Sequence, residues 1–379
     1  MMNTVKDMYT QWSIDTIRGM FMKTKNRLMF WLLGGGVVLF GIASFLAFWF
    51  CIPRAQGQCG ETATYKIIGN TLYIEGVGET YRFRPAIYDA QDRPWEGQTS
   101  QIRKVVVRDG ITLINYNAFR GMENLRSVVL SDSVVTVYPS AFEDCVALTD
   151  ISSTFLNFIG PHAFAGCTSL RQVVFPAYDD AAIFNAIYVC EYAFSGCTSL
   201  EYISLGGTAF LDERCFARCT SLKTVVIERD LQTLGNGAFE ACTAMETFPL
   251  ESLSDFQIGA IDREGNSLDY SIVLGDRVFQ NCTGLVSIAL PNWAWWVPSN
   301  MFRGCTGLQE ITLPEGLQTI ESAAFAGCTG IERLEIPSTV TKIHPSAFLE
   351  WTEEQTIVVY DLSILPEELT DCAARIELR

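Results

Sequence analysis

The residues of this chain that are best suited to chemistry are its 13 cysteines. As a residue type, cysteines form disulfides, bind zinc or act as nucleophiles. The two histidines, His162 and His344, lie far apart, and no cysteine pair has the C-x-x-C spacing of a zinc site. Hydrolase and phosphate-loop motifs are absent. Paired carboxylates such as Glu353-Glu354 and Glu367-Glu368 are more typical of a solvated acidic surface than of a glycosidase. The sequence therefore predicts no catalytic residue, no metal and no cofactor.

Eight of the cysteines instead occupy one position of an internal repeat, three residues after a phenylalanine. The phenylalanines follow one another at steps of 22 or 23 residues, apart from two longer steps. An aliphatic residue stands five positions before each of them, and a Leu, Met or Ile stands six positions after nine of them. The repeated residues are Phe119, Phe142, Phe164, Phe194, Phe216, Phe239, Phe279, Phe302, Phe325 and Phe348, with Cys145, Cys167, Cys197, Cys219, Cys242, Cys282, Cys305 and Cys328.

Each repeat is predicted to supply one short strand and a short helical or irregular return segment, with Phe and Cys pointing inward from the return segment. One repeat cannot bury this face alone, so the repeats must stack into a parallel ladder at ~4.8 Å spacing. The pattern predicts an α/β solenoid of about ten units over residues 102–360. Stacked cysteines lie within disulfide range. Equivalent backbones nevertheless point them the same way, which favours buried thiols.

The sequence A-F-x-G-C-T-x-L, followed by I-x-L-P, resembles the BspA-like leucine-rich repeats of microbial surface proteins. The resemblance covers residues 102–360. Residues 54–101 resemble the small β-rich cap that often precedes such arrays, with predicted strands over 64–68 and 71–75. The chain departs from the family pattern by insertions near 177–188 and 251–270 and by lacking a recognisable cell-wall sorting signal. The resemblance implies a leucine-rich-repeat solenoid with protein partners, and residues 361–379 are predicted to be its C-terminal cap.

An uncharged apolar segment near the N-terminus predicts one transmembrane helix over residues 28–53, since about 20 apolar residues span a bilayer. All five basic residues of segment 1–27 precede it, which places this segment in the cytoplasm and the repeats outside. The alternative is a cleaved secretory signal with a weak cleavage site at Ala55-Gln56-Gly57. Both alternatives export the same domain. A lipidated Cys51 is disfavoured because Phe48-Trp49-Phe50 lacks small residues.

The part that is predicted to be exported is strongly acidic. Residues 54–379 contain 22 basic and 41 acidic residues, a formal charge of −19. Such a surface repels phosphate backbones, which argues against nucleic-acid binding.

A group of tryptophans forms the candidate ligand-binding site. The segment 291–297 contains Trp293, Trp295 and Trp296 and aligns with 314–320, where the corresponding residues are Gly or polar. The cluster is either an exposed binding site or a patch covered by the 251–270 insertion, which contributes Phe256. Outward positions of the repeat strands add Tyr202, Glu310 and Arg333.

These features predict a membrane-anchored cell-surface binding protein that adheres to or recognises extracellular proteins, and not an enzyme. The alternative is a carbohydrate-binding or envelope-scaffolding module, in which the tryptophans of the 291–297 segment stack on sugars.

Overall fold

Two short strands joined by tight turns make up most repeats in the computed structural model, which describes residues 53–83, 92–152, 155–175, 186–253 and 274–379. The prediction of one strand per repeat is therefore wrong. In chain order the strands are β1 (Ala55–Gln58), β2 (Ala63–Ile68), β3 (Thr71–Gly76), β4 (Gly78–Glu79), β5 (Lys104–Val107), β6 (Ile111–Ile114), β7 (Ser127–Leu130), β8 (Thr136–Val137), β9 (Asp150–Ser152), β10 (Phe158–Ile159), β11 (Gln172–Phe175), β12 (Ala186–Val189), β13 (Tyr202–Leu205), β14 (Thr208–Leu211), β15 (Thr224–Ile227), β16 (Leu231–Leu234), β17 (Ser287–Ala289), β18 (Trp296–Val297), β19 (Glu310–Thr312), β20 (Thr319–Ile320), β21 (Arg333–Glu335), β22 (Lys342–Ile343), β23 (Thr356–Val359) and β24 (Arg375–Leu378).

The strands form two parallel ladders, one from each strand of the repeat. The first ladder consists of β3-β5-β7-β9, β11-β13-β15, β17-β19 and β21-β23-β24. The second consists of β4-β6-β8-β10-β12-β14-β16 and β18-β20-β22. Pairing in each ladder keeps equivalent residues of neighbouring repeats side by side, as in Val105 opposite Val128 and Ile320 opposite Ile343. A residue type at one repeat position therefore becomes a column along the molecule.

Helix is almost absent from the described residues, which contain three short 3-10 helices at Glu96–Gln98, Leu250–Ser252 and Leu362–Ile364. The predicted α/β class is corrected to a β-solenoid, because the return segment is a second strand followed by turns. Within the described part of the chain, no helix has the length and apolar character needed to cross a membrane. The predicted span 28–53 lies outside the described residues except for Pro53.

The turn that carries each phenylalanine depends on left-handed backbone. The residue two positions after the Phe has a positive φ in all ten repeats, and so does the residue two positions before it in nine. Glycine adopts this conformation without steric cost, whereas other residues avoid it. Glycine stands two positions after the Phe in five repeats, and Asp144, Arg218, Ala241, Asn281 and Glu350 hold the same conformation in the others.

The ten phenylalanine rings form one continuous buried stack. Adjacent ring centroids are 5.0 to 6.1 Å apart and the rings are within 26° of parallel. Each ring is at most 1% exposed, and burial of one such side chain stabilises the fold by about 1.5–3 kcal/mol. The stack is the central element of the core because no repeat can bury its own ring alone.

Both ends of the phenylalanine stack are closed by a buried tryptophan. At the N-terminal end, Trp95 stacks on Phe119 at 5.6 Å and donates its Nε1 hydrogen to the Ala118 carbonyl. The antiparallel hairpin β2–β3 turns at Gly69 and Asn70 and joins the first ladder through β3. At the C-terminal end, Trp351 packs edge-on against Phe348. Beyond it, the segment 361–379 contributes β24, which adds one more strand to the first ladder.

Candidate functional site

The column of eight cysteines is structural rather than reactive in its geometry. All eight side chains are buried and none is in a disulfide. Each sulfur donates to the carbonyl oxygen of the Phe in the preceding repeat, as Cys145 does to Phe119 at 3.1 Å and Cys328 to Phe302 at 3.0 Å. The indole of Trp351 makes the equivalent bond to Phe325 at 2.8 Å. These contacts tie neighbouring repeats together at the turn, a role that column position alone did not reveal.

Burial also keeps these thiols protonated. Loss of solvation raises the pKa of Cys145 to about 12 and has the same effect on the pKa of Cys197 and Cys282. The pKa of Cys219 is raised well above its ordinary value by the same cause, with neighbouring thiols adding to it. A neutral, buried thiol is a poor nucleophile and a poor metal ligand, so the column offers no chemistry to a substrate.

The three tryptophans of the 291–297 segment lie together at the start of β18, a strand of the second ladder. Trp296 is the first residue of β18, and its ring lies 6.2 Å from that of Trp293 and 4.6 Å from that of Trp295. The rings are tilted by 52° and 44° at these two contacts. Trp293 and Trp296 are half-buried against the core, whereas Trp295 is 52% exposed. Trp295 is therefore the member of the cluster with most surface available to a ligand.

Trp293 is anchored to the base of the longer insertion. Its Nε1 donates to the carbonyl oxygen of Leu253 at 2.9 Å. Leu253 and Leu274 each bridge to β16, and the residues between these two leucines lie outside the described chain, including Phe256. The predicted contribution of Phe256 thus falls outside the described residues. The cluster was predicted to be either covered by the insertion or exposed as a binding site. Trp293 contacts the base of the insertion, whereas Trp295 is exposed.

The remaining candidate residues lie on the first ladder and not beside the tryptophans. Tyr202 begins β13 and is 36% exposed, while Glu310 begins β19 four repeats further on, roughly 19 Å away at ~4.8 Å per strand. Arg333 begins β21 and is held by Glu377, with its two terminal nitrogens 2.5 and 2.8 Å from the carboxylate oxygens. The predicted set therefore divides into two groups on different ladders, and the guanidinium of Arg333 is already paired.

Two further positions differ from what the sequence pattern suggests. Ser204, an outward position by strand alternation, is 3% exposed and donates its hydroxyl to Glu228. The end of the predicted 177–188 insertion belongs to β12, which begins at Ala186. Residues 176–185 lie outside the described chain.

Aromatic residues of the second ladder were missed by reasoning from the sequence. The position six residues before the Phe holds Phe158, Tyr188, Phe210 and Trp296 in four repeats, and the ring of Tyr188 stacks on that of Phe210 at 4.7 Å. A column search at this position would have found them. Trp296 thus occupies a position that accepts aromatics elsewhere in the array. At the position of Trp295, described repeats hold smaller or polar residues, such as Gln318 in the next one.

Two parallel ladders built from repeats with inward Phe, Cys and Leu columns define a solenoid of the leucine-rich-repeat class. The chain belongs to the BspA-type leucine-rich-repeat family. The model of this family, described as a BspA type Leucine rich repeat region, matches six copies over residues 97–180, 182–263 and 272–368, well over half of the chain.

Several solved structures are similar to the chain. A leucine-rich cell surface protein of Faecalibacterium prausnitzii is 20% identical, with 86% of this chain and 95% of that chain covered and a TM-score of 0.40. A leucine-rich repeat protein of Bacteroides ovatus is 21% identical, with 83% and 89% covered and a TM-score of 0.43. The pneumococcal vaccine antigen PcpA is 14% identical, with 86% and 98% covered and a TM-score of 0.31. No curated protein matches the chain.

Proposed function

We propose that this protein is a cell-surface recognition protein, anchored through the apolar segment 28–53, that binds extracellular proteins through the second ladder around Trp295. The observation that carries the proposal is the 52% exposure of Trp295 at a position where the next repeat holds Gln318. A half-exposed indole is not needed to build the solenoid. Membership in a leucine-rich-repeat family of bacterial surface proteins supports recognition by binding rather than catalysis.

The cluster has the features of an interface hot spot. Trp293 and Trp296 pack on the core, and Trp296 contacts the Trp295 ring from one side, so little conformational entropy is lost when a partner packs on Trp295. A few aromatic residues of this kind commonly dominate the affinity of a protein interface. Tyr202 and Glu310 on the first ladder are secondary candidates, because they lie apart from the cluster and from each other.

Carbohydrate binding through the same cluster is the alternative function. A sugar stacks best on a flat, exposed ring face, and several coplanar rings are needed to follow a glycan chain. Here the indoles are tilted by 44° and 52°, and Trp293 and Trp296 are half-buried. This arrangement favours a protein partner with a shaped side chain over an extended glycan.

The experiment is to apply the full-length protein to arrays of extracellular proteins and of glycans, with Trp295→Ala and Tyr202→Ala variants in parallel. We expect signals on the protein array that Trp295→Ala removes and Tyr202→Ala retains. Tyr202→Ala is the matched control, because it also deletes an exposed aromatic ring, but from the first ladder. Signals confined to the glycan array would replace this function with the carbohydrate alternative. Loss with Tyr202→Ala alone would move the site to the first ladder.

A further inference from the structure

The indole of Trp295 contacts a neighbouring ring on one side, and about half of its surface is exposed to solvent. The Trp296 ring lies 4.6 Å away at a tilt of 44°, and 52% of Trp295 remains exposed. The Trp295 carbonyl is used by the next repeat, where the N–H groups of Gln318 and Thr319 donate to it at 2.7 and 3.1 Å. The backbone that carries the indole is thus held by the next repeat.

Several half-buried or exposed tyrosine rings of this molecule receive a cation from the chain itself. Tyrosine rings at four places have a lysine or arginine within 6 Å of the centroid: Lys66 and Arg108 at Tyr73, Arg82 at Tyr116, Arg214 at Tyr192 and Arg379 at Tyr360. Among the described residues, no lysine or arginine lies over Trp295. Yet an indole attracts cations more strongly than a phenol ring. Trp295 is therefore a cation-binding ring for which the described chain supplies no cation.

The surroundings of Trp295 favour a positive charge. Residues 274–379 contain 14 acidic and 6 basic residues, and two of the basic ones, Arg333 and Arg379, are paired with Glu377 and Glu335. Closer to the cluster, the N–H of Glu321 donates to the Val297 carbonyl, so Glu321 lies beside the end of β18. Val297 is buried, and strand alternation therefore places Glu321 on the same outer side as Trp296. Lys342 is two strands from Trp296, about 10 Å at ~4.8 Å per strand.

We propose that the open surface of Trp295 receives an arginine side chain of a protein partner, with the acidic surface of residues 274–379 attracting the guanidinium. This proposal rests on the binding function proposed above and adds the chemistry of the partner. Arginine fits better than lysine because its flat guanidinium stacks on an indole and carries a smaller hydration shell. The partner therefore presents a basic segment rather than an apolar one.

The test uses two short peptides, one of alternating arginine and glycine and one with citrulline in place of arginine. Their affinity for the full-length protein is measured by fluorescence anisotropy. We expect the arginine peptide to bind and the citrulline peptide to bind far more weakly. Trp295→Leu, which changes no charge, should weaken arginine-peptide binding by about threefold to thirtyfold. Tyr202→Leu should leave it unchanged. Equal affinity of the arginine peptide for the wild type and Trp295→Leu would overturn the proposal, because binding would then be diffuse attraction to an acidic surface.

A partner found on the protein array separates this proposal from the function on which it rests. If that partner loses affinity for Trp295→Leu but binds equally well after its arginines are chemically blocked, the binding function stands and the arginine proposal fails. If Trp295→Leu binds the partner as the wild type does, the site itself is wrong.

Discussion

The strain in the repeat turn is carried by single residues. Ala241 has φ +61° in the column where five other repeats use glycine. A left-handed conformation costs an L-residue roughly 1–2 kcal/mol, and glycine at the same place avoids this cost. Glycine also has more backbone freedom in the unfolded state, which offsets about 0.4–1 kcal/mol of the stabilisation gained by removing this cost.

Ala241→Gly should therefore stabilise the protein by up to about 1 kcal/mol. The matched control is Ala217→Gly, because Ala217 follows its Phe directly and does not have a positive φ. That change should destabilise by roughly 0.5–1 kcal/mol. Chemical denaturation of both variants measures the two effects. A loss of stability in Ala241→Gly equal to that of Ala217→Gly would show that the turn is not strained at this column.

Thiol reactivity differs among the cysteines of the chain. The eight column thiols are buried, whereas Cys190 and Cys372 are partly exposed. Burial raises the pKa of Cys190 to about 12 and also raises the pKa of Cys372, with less burial at the latter. Reagents attack the thiolate, so exposure and pKa act together.

In the native protein a maleimide should modify Cys372 first among these ten, while Cys219 and the other column members react only after denaturation. Peptide mass spectrometry after timed labelling identifies each site. Native-state labelling of the column at the rate of Cys372, or disulfides between adjacent column members, would contradict the buried thiol ladder.

At the scale of elements, side chains at the C-terminal end of the array stabilise the terminal repeats. Trp351 takes the place of the column cysteine, and the side-chain amide of Gln355 donates to the carbonyls of Cys328 and Ile331 at 3.0 and 2.9 Å. These bonds tie the last repeat, which has no full repeat stacked upon it, to carbonyl groups of the repeat before it. Terminal units of solenoids need such closure because each repeat is stabilised only by its neighbours.

Trp351→Phe should keep an aromatic ring but lose the bond to the Phe325 carbonyl and part of the buried area, at a cost of about 1–3 kcal/mol. Because coupling is between neighbours, the loss should be local. Hydrogen exchange should accelerate in β21 to β24 and stay unchanged in β5 to β9. Tyr360→Phe, on an exposed ring, serves as the control. Uniform acceleration along both ladders would show instead that the array unfolds as one unit.

The Phe and Cys columns were predictable because a burial pattern repeated ten times can be found by alignment alone. The second strand was not, since two-residue strands such as β8 and β18 are too short to show alternation. The Trp cluster was predictable as a departure from the repeat. Its division into a half-buried Trp293 and an exposed Trp295 was not, because the position of Trp293 depends on the bond to Leu253, 40 residues away. The Arg333–Glu377 pair is likewise a contact between residues 44 positions apart.

Burial of the eight column thiols makes the stability of the whole molecule depend on pH. Burial raises the pKa of column thiols such as Cys145 and Cys197 to about 12, against about 8.5 in an unfolded chain. The native state keeps these protons at a pH where the unfolded state has lost them. The thiols therefore contribute their full stabilisation at pH values below their pKa in the unfolded chain. This contribution falls as the pH rises through 9 toward 12.

Each such thiol changes the free energy of unfolding by about 1.4 kcal/mol per pH unit in this window, so eight change it by about 11 kcal/mol. Total stabilities are about 5–15 kcal/mol. Under reducing conditions, the protein should therefore unfold within about two units above pH 9. Thiolate absorbance and the circular dichroism signal should change in one step. Thiolate absorbance that rises while the circular dichroism stays native would contradict the buried column.

Binding through the second ladder is tested most directly by comparing Trp295→Ala with Trp293→Phe, once a partner has been found. For each full-length variant, the affinity and the thermal midpoint are measured. Trp295→Ala should weaken binding at least about tenfold, at a stability cost below about 1 kcal/mol, because its indole is half exposed. Trp293→Phe should lower the midpoint through loss of its bond to Leu253 and retain most of the affinity. Wild-type affinity in Trp295→Ala, or a fall in its midpoint as large as that of Trp293→Phe, would contradict this account of the site.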